Sequence, residues 1–574
     1  MQKKTRIALF SLVLLVLVAA VAILIWLPRP EEIILSPDVI ELREDIERAP
    51  RTAMTEERPP ILLLGIDGVD RDLLYRELRD GQLPGLARLL GVEQNDGGRK
   101  FPHAHFYPSL LSELPSSTIP VWVSLFTGVP PGEHGAPGNE FFIRGEERFA
   151  APVPTSFDDP RPLLGTYTDD YVNDLVELPT FYEVLRDEDP SIRLWVALSQ
   201  VYRGADRLMV ARHGVLGDAF SAFLQGGLED AEFFQVIGAL DAEVLQNTAA
   251  ELEQNALPDV LTVYLFGTDL FAHRSSEGPT PARTQYMRDV LDPAFEELYQ
   301  ALRQRDSWAD RYVVVVSDHG HTEVSHTSER ALGPDLDDDP PAVLRQGGFR
   351  VRPMVYQTGD DDFQSVLAYQ GGMAFAYIAD RSTCPDEGDQ CDWERPPRYE
   401  ADLLEAAEAF YQADREGRYA SKMQDSLDLI LVRDPSIDAE GALPFVVYTG
   451  QGQTTPLAEY LELSPRPMYA ALEQRLTELT TGRFGDRAGD MLLIPHNGTR
   501  DRPEDRFYFS TEYHSWHGNP SRRDSEIPLI VAHPDCTAEQ LGRLTDDTLG
   551  HKPRMHQVMQ LLLTLRRGPL CGEE

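Results

Sequence analysis

Residues 61–67 read ILLLGID, and the chain twice repeats this pattern of a short apolar run that stops on an aspartate: VLTVYLFGTD over 260–269 and YVVVVSD over 312–318. Short, continuous runs of Val, Ile and Leu are what parallel strands buried on both faces require. In open α/β sheets, ligands gather at the carboxyl ends of such strands. Asp67, Asp269 and Asp318 therefore fall where ligands bind. Two of them have a histidine close by, His273 four residues after Asp269 and His319 directly after Asp318. A single aspartate after a strand is ordinarily a turn or helix-capping residue. Three in equivalent positions, two with imidazole in reach, point instead to a shared metal site. A mixed set of oxygen and nitrogen donors suits zinc or another first-row divalent ion, with manganese as the alternative.

Outward from these runs, strand and helix patterns alternate. ILLLGID is followed by helical spacing in DRDLLYRELRD and LPGLARLL, and RLWVALS (193–199) and IPLIVAH (527–533) add further strands. This alternation predicts an α/β fold, doubly wound, with a mostly parallel central sheet and helices on both faces. Residues 59–330 are expected to form the first part of the catalytic core and 485–574 the second. Between them the texture changes to an acidic proline loop, LGPDLDDDPPAVL, and a cysteine loop, TCPDEGDQCDW, with a helix pattern at EADLLEAAEAFYQADRE. Residues 331–484 are read as a large inserted cap, and such insertions carry specificity.

The 574 residues, 42% hydrophobic, suffice for one large domain with insertions or for two domains. A formal net charge of −41 argues against binding a nucleic-acid polymer, which is gripped by Lys and Arg patches. Any anionic substrate would have to be held locally, by metal ions and backbone N–H groups. The N-terminus supplies MQKKTR and then an apolar run over 7–27 that can cross a bilayer. Residues 1–28 are expected to be an uncleaved transmembrane anchor, with everything beyond outside the cytoplasm, periplasmic or extracellular. Residues 29–58 read as a stalk with one short helix around PDVIELREDIERA. Four cysteines suit two disulfides in an oxidising compartment, Cys384 with Cys391 and Cys536 with Cys571.

The segment ELPSSTIPVWVSLFTGVPPGEHGAPGN holds the second signal. Thr118 stands where a helix should begin, Pro120 fits its first turn and Gly128 its end. A helix N-terminus offers free N–H groups to an anion. The Thr118 hydroxyl is thus either a cap or a nucleophile.

The order GIDG, a Thr before P-x-x-x-S-x-x-TG-x-x-P-x-x-HG, then D-x-x-x-H, SDHG and a late HG before a PLIV strand resembles the alkaline phosphatase superfamily. Within it the chain is most similar to the nucleotide pyrophosphatase/phosphodiesterase and phosphonoacetate hydrolase branch, over residues 59–330 and 485–533. The resemblance implies that Asp67, Thr118, Asp318 and His319 hold one ion, and Asp269, His273 and His517 the other. Asn139 would donate to a phosphoryl oxygen together with the Thr118 N–H, and Thr118 would form a covalent intermediate that water resolves. His517 is preferred to His514. His321 reads as solvated or supporting, and His134 as stabilising a turn. Trp122, Phe141, Phe142 and Tyr264 could sandwich a base, though each fits a core position as well. The expected activity is that of an anchored two-metal phosphohydrolase acting on a small phosphorylated substrate. The alternatives are a phosphoryl or head-group transferase of the same superfamily and a non-catalytic surface binding protein.

Overall fold

Five buried apolar strands lying side by side make the centre of the protein. A computed structural model describes residues 39–42, 58–95, 98–435 and 444–572. The expected anchor, and most of the expected stalk, lie outside the described residues. Among the described residues no helix is long and apolar enough to cross a membrane. The strands of the two large sheets are, in chain order, β1 Val39–Glu41, β2 Ile61–Ile66, β3 Ala104–Phe106, β4 Leu194–Ala197, β5 Arg207–Met209, β6 Val260–Leu265 and β7 Tyr312–Val316. These are followed by β8 Ser365–Tyr369, β9 Ala374–Ile378, β10 Leu427–Arg433, β11 Phe445–Gly450, β12 Gln453–Pro456, β13 Met491–Pro495 and β14 Leu529–Ala532.

The central sheet has the order β1-β5-β4-β6-β2-β7-β14-β3. Strands β5, β4, β6, β2 and β7 are mutually parallel. Every residue of β2, β6 and β7 is buried, which is why these runs lack the alternation of a strand with one wet face. The two flanks are antiparallel, so the sheet is mixed. The IPLIVAH strand is one of these reversals. Leu529, the first residue of β14, pairs with Val316, the last of β7, because the chain enters β14 from the edge at which β7 ends. The short helix expected in the stalk, around residues 37–49, is corrected over residues 39–41, and residues 43–49 lie outside the described residues. Val39–Glu41 form an edge strand on β5, with Glu41 bonded to Arg207 at 2.8 Å. Two adjacent β-branched residues favour extension, and the open edge of β5 supplies the partners.

The helices that bear on the site are α1 Thr118–Thr127, α2 Arg161–Thr168, α3 His213–Gln225, α4 Gly267–Arg274 and α5 Asp292–Gln304. On α5 the buried residues Phe295, Leu298 and Leu302 recur at helical spacing and form the stripe that faces the core. A second, wholly antiparallel sheet runs β8-β9-β13-β10-β11-β12. It has an apolar cluster of its own, in which Leu367, Ile378, Val432 and Leu493 pack with Phe410. Both expected disulfides are formed, Cys384–Cys391 and Cys536–Cys571.

Leu63, in the middle of β2, is fully buried between parallel neighbours. Leu63→Ala is expected to lower stability by about 2–5 kcal/mol, the range for a large aliphatic side chain removed from a packed core. Urea denaturation followed by circular dichroism measures this, and a shift below 1 kcal/mol would contradict the packing described.

Candidate metal centre and active site

Strands β6, β2 and β7 are consecutive in the sheet, with Leu265 opposite Ile66 and Val316 opposite Gly65. The chain therefore leaves all three at one edge. Asp67 follows β2 directly and donates its N–H to Leu265 O at 2.9 Å. Asp318 lies two residues past β7. The second apolar run does not extend to its aspartate, since β6 stops at Leu265 and α4 opens at Gly267. Gly267 is confined there, because a Cβ would lie 1.9 Å from the Tyr286 hydroxyl oxygen. Asp269 is thereby in the first turn of α4 and His273 one turn on, so the two share a face, with Nε2 to Oδ1 at 3.3 Å.

His517 arrives from far along the chain. A short ladder pairs Thr322–Glu323 with Ser515–Trp516, tying the loop after β7 to the loop that carries His517. His517 Nε2 then lies 3.6 Å from Asp269 Oδ1. His319 Nε2 lies 3.2 Å from Asp67 Oδ1 and 3.3 Å from Asp318 Oδ2. The donor atoms fall into three sets, each within 4.8 Å: Asp67, Asp318 and His319; Asp269, His319 and His517; Asp269, His273 and His321. All seven residues are buried. The six expected metal-ligating aspartates and histidines thus converge, and His321, read from sequence as solvated or supporting, is buried with them.

The ring orientations test whether a cation fits. His273, His319 and His517 each place Nδ1 against a backbone carbonyl, those of Ser515, Gly320 and Ser116, at 2.7, 3.1 and 3.0 Å. A carbonyl only accepts, so Nδ1 carries the proton and Nε2 is left with a lone pair facing carboxylate. Asp67 Oδ1, Asp269 Oδ1 and His319 Nε2 are buried without a hydrogen-bond partner. Lone pairs turned on one another, with their far sides anchored, are the arrangement that metal ligands adopt. The residues fit divalent cations.

Both oxygens of Asp318, and Oδ2 of Asp67, are held by donors from the core. Trp122 Nε1 donates to Asp318 Oδ2 at 3.0 Å, and Gly68 N and His319 N donate to Asp318 Oδ1 at 3.1 and 3.0 Å. The Tyr264 hydroxyl donates to Asp67 Oδ2. Trp122 and Tyr264 therefore brace aspartates and meet each other edge to face, with ring centroids 5.0 Å apart, Tyr264 also lines the cavity that holds Thr118, and Phe141 and Phe142 are fully buried in the core. Burial pushes Asp67 well above the usual carboxylate range, and the charges of Asp318 and Asp269 push it further. Burial also raises Asp318, to about 7, with the charge of Asp269 adding to the effect. Desolvation lowers His517 to about 4 and holds His319 and His321 well down.

Thr118 is the first residue of α1, and Ser117 is the N-cap. Its hydroxyl is thus free of the capping role that its sequence position allowed. It lines a cavity with Asp67, Asn139, Asp269, His273 and His517. Asn139 accepts from Ile119 N at 3.0 Å, which leaves its NH2 as donor, and its own N–H donates to Gln370 Oε1 at 2.7 Å. His514 stays outside the cluster, stacked on His326 with centroids 4.4 Å apart. His134 bonds Ser124 Oγ at 2.9 Å and accepts from Ala136 N at 3.2 Å, so it ties α1 to the following turn. The rest of the cavity wall is apolar and aromatic, with Leu163 and Tyr167 from α2, Phe220 and Phe223 from α3, and Phe266. These were not identified from sequence. Phe220 and Phe223 show helical spacing, but that spacing does not distinguish a cavity wall from a core.

A family model described as type I phosphodiesterase / nucleotide pyrophosphatase matches residues 61–441. Among solved structures, murine ectonucleotide pyrophosphatase / phosphodiesterase 5 matches with 10% sequence identity and a TM-score of 0.45, covering 88% of this chain and 94% of that one. No curated protein matches the chain in sequence.

Asp318 is raised to about 7 and Asp67 is raised as well, so these two carboxyls hold more protons in the metal-free native state than in the unfolded chain at pH values between the ordinary aspartate range and the raised native ones. Stability of the metal-free protein contributed by these groups falls as pH rises through that window, and a bound cation reverses the effect. The zinc-dependent rise in melting temperature is expected to be small near about pH 5 and large near about pH 8. Calorimetry of chelated and zinc-loaded samples at both pH values measures it, and equal increments would contradict this proton linkage.

Proposed function

Because the chain belongs to the type I phosphodiesterase / nucleotide pyrophosphatase family, we propose that it is a metal-dependent hydrolase of phosphoric diesters in which Thr118 is the nucleophile. The observation that carries this reading is the Thr118 hydroxyl, uncommitted to capping, at a helix N-terminus in a cavity shared with Asp67, Asp269, His273 and His517. Asp67, Asp318, His319 and Thr118 would hold one divalent ion, and Asp269, His273 and His517 the other. When bound, such ions supply neutralisation of phosphoryl charge and activation of oxygen nucleophiles.

The chain's own groups do the positioning. The first turn of α1 keeps the Thr118 N–H for a phosphoryl oxygen, where the helix dipole favours negative charge, because Ile119 N is bonded to Asn139, residue 120 is proline and Val121 N is bonded to Ser117 O. Asn139 adds its side-chain NH2, oriented because its carbonyl oxygen is bonded to Ile119 N and its backbone to Gln370. Thr118 Oγ1 attacks phosphorus as the ester oxygen departs, and water cleaves the resulting Thr118 ester in a second displacement. The apolar wall formed by Leu163, Phe220, Phe223 and Phe266 accepts an aromatic or apolar part of the esterified group and keeps bulk water from it.

The same proposal places the protein outside the cytoplasm, tethered by residues 7–27. That run is apolar and follows a basic hexapeptide. All four cysteines are paired, as an oxidising compartment allows.

Hydrolysis of bis(p-nitrophenyl) phosphate by the zinc-loaded protein tests the chemistry. Thr118→Ala is expected to lower kcat by at least about 1,000-fold, and Asn139→Ala by roughly 100-fold. Metal content is expected to remain at two ions in the Asn139 variant. Activity of the Thr118→Ala protein equal to wild type would exclude Thr118 as nucleophile.

A further inference from the structure

His321 lies two residues beyond His319, and its two nitrogens have different environments. The Ser515 hydroxyl donates to Ala272 O at 2.7 Å and has no second proton to give. The contact between Ser515 Oγ and His321 Nδ1, at 3.0 Å, therefore has the imidazole N–H as donor. Nε2 of the neutral ring is left with a lone pair. It stands 2.9 Å from Asp269 Oδ1, closer than either His273 Nε2 at 3.3 Å or His517 Nε2 at 3.6 Å. His321 Nε2 and Asp269 Oδ1 are both buried without a hydrogen-bond partner. Two lone-pair atoms at that distance repel each other unless a cation lies against both.

Two features of the backbone hold the ring in place. Thr322 and Glu323 pair with Trp516 and Ser515, which fixes His321 beside the hydroxyl that orients it. Gly68 adopts a φ of +72°, and a Cβ at that position would lie 2.7 Å from His321 Nε2. The glycine in GIDG thus leaves space for the lone pair to reach the site. Donors on one tetrahedral zinc, with bonds of about 2.0–2.1 Å, stand roughly 3.3 Å apart. The three imidazole distances to Asp269 Oδ1 straddle that separation.

We infer that His321 is a further ligand, through Nε2, of the ion held by Asp269 and His273. This rests on the two-ion reading above and extends it. That ion would then have one carboxylate and three imidazoles, Asp269, His273, His321 and His517. The other would have two carboxylates, one imidazole and the Thr118 hydroxyl. The imidazole-rich site favours zinc over magnesium or manganese, and the carboxylate-rich site discriminates less. The two ions would differ in affinity and in metal preference.

The full-length protein, stripped and reloaded, provides the test. Zinc stoichiometry and competition with a chromogenic chelator are measured for wild type and His321→Ala. The variant is expected to keep one ion at wild-type affinity and to hold the second roughly 100-fold more weakly or worse. His321→Cys loaded with cobalt is expected to show a sulfur-to-cobalt charge-transfer band. All four native cysteines are in disulfides, so such a band reports position 321 alone. Circular dichroism checks the fold, and His321→Gln replaces the cysteine variant in the affinity comparison if that variant does not fold. Equal affinities for both ions in wild type and His321→Ala, with no such band, would overturn the inference and leave the two-ion reading standing. A wild-type protein that holds fewer than two zinc ions would overturn both.

Discussion

Buried carboxylates facing imidazole lone pairs are the constraint on which the rest of the structure depends. Asp67, Asp269 and Asp318 leave three adjacent parallel strands at one edge, and four histidine rings turn unprotonated nitrogens toward them. In the absence of a cation this is a cluster of like partial charges in a low-dielectric interior. The protein lowers part of that cost locally. Trp122 and the N–H groups of Gly68 and His319 satisfy both oxygens of Asp318, and Tyr264 satisfies Oδ2 of Asp67. Asp67 Oδ1 and Asp269 Oδ1, which face the rings, are left without partners. Such a division of bonds specifies a cation position better than it stabilises an empty core.

The two halves of the centre are assembled by different means. Asp67, Asp318 and His319 follow directly from the β2 and β7 register, so a one-residue slip would turn them off the site. His517 and the hydroxyl that orients His321 come from a loop about 200 residues later. They are brought in by the two-stranded ladder at Thr322–Glu323 and Ser515–Trp516. The loops around the second sheet contribute as well, since Gln370, just past β8, accepts from Asn139 N and Gly372 N donates to His517 O at 2.6 Å. Residues that touch phosphate in the proposed mechanism are thus positioned by contacts between distant parts of the chain, not by the sheet alone.

What could be read from sequence follows from which interactions are local. The three apolar runs, their aspartates and the His273 spacing are local patterns, and the structure brings these residues together. The α1 boundaries were also readable, because Pro120 and Gly128 act within one turn of the helix ends. The direction of β14 was not, since IPLIVAH has the same composition whether it pairs parallel or antiparallel. Val39–Glu41 were misread because their extension depends on the open edge of β5. The aromatic wall was missed for a related reason, as Tyr167, Phe220 and Phe266 are spread over about 100 residues and meet only in three dimensions.

His321 shows how far a local pattern reaches. In SDHGH the second histidine is conspicuous, yet nothing in those five residues says which way its ring points. That depends on Ser515, whose hydroxyl proton is taken up by Ala272 O. The serine thus sets the tautomer of a ring 194 residues away, and the tautomer sets whether Nε2 presents a lone pair or a proton to Asp269. A serine in this place therefore acts on the candidate metal centre without being one of its ligands. Its backbone carbonyl does the same for His273. One residue on a two-residue strand orients two of the imidazoles around Asp269, which ties the donor geometry of the proposed ion to the integrity of a single short ladder.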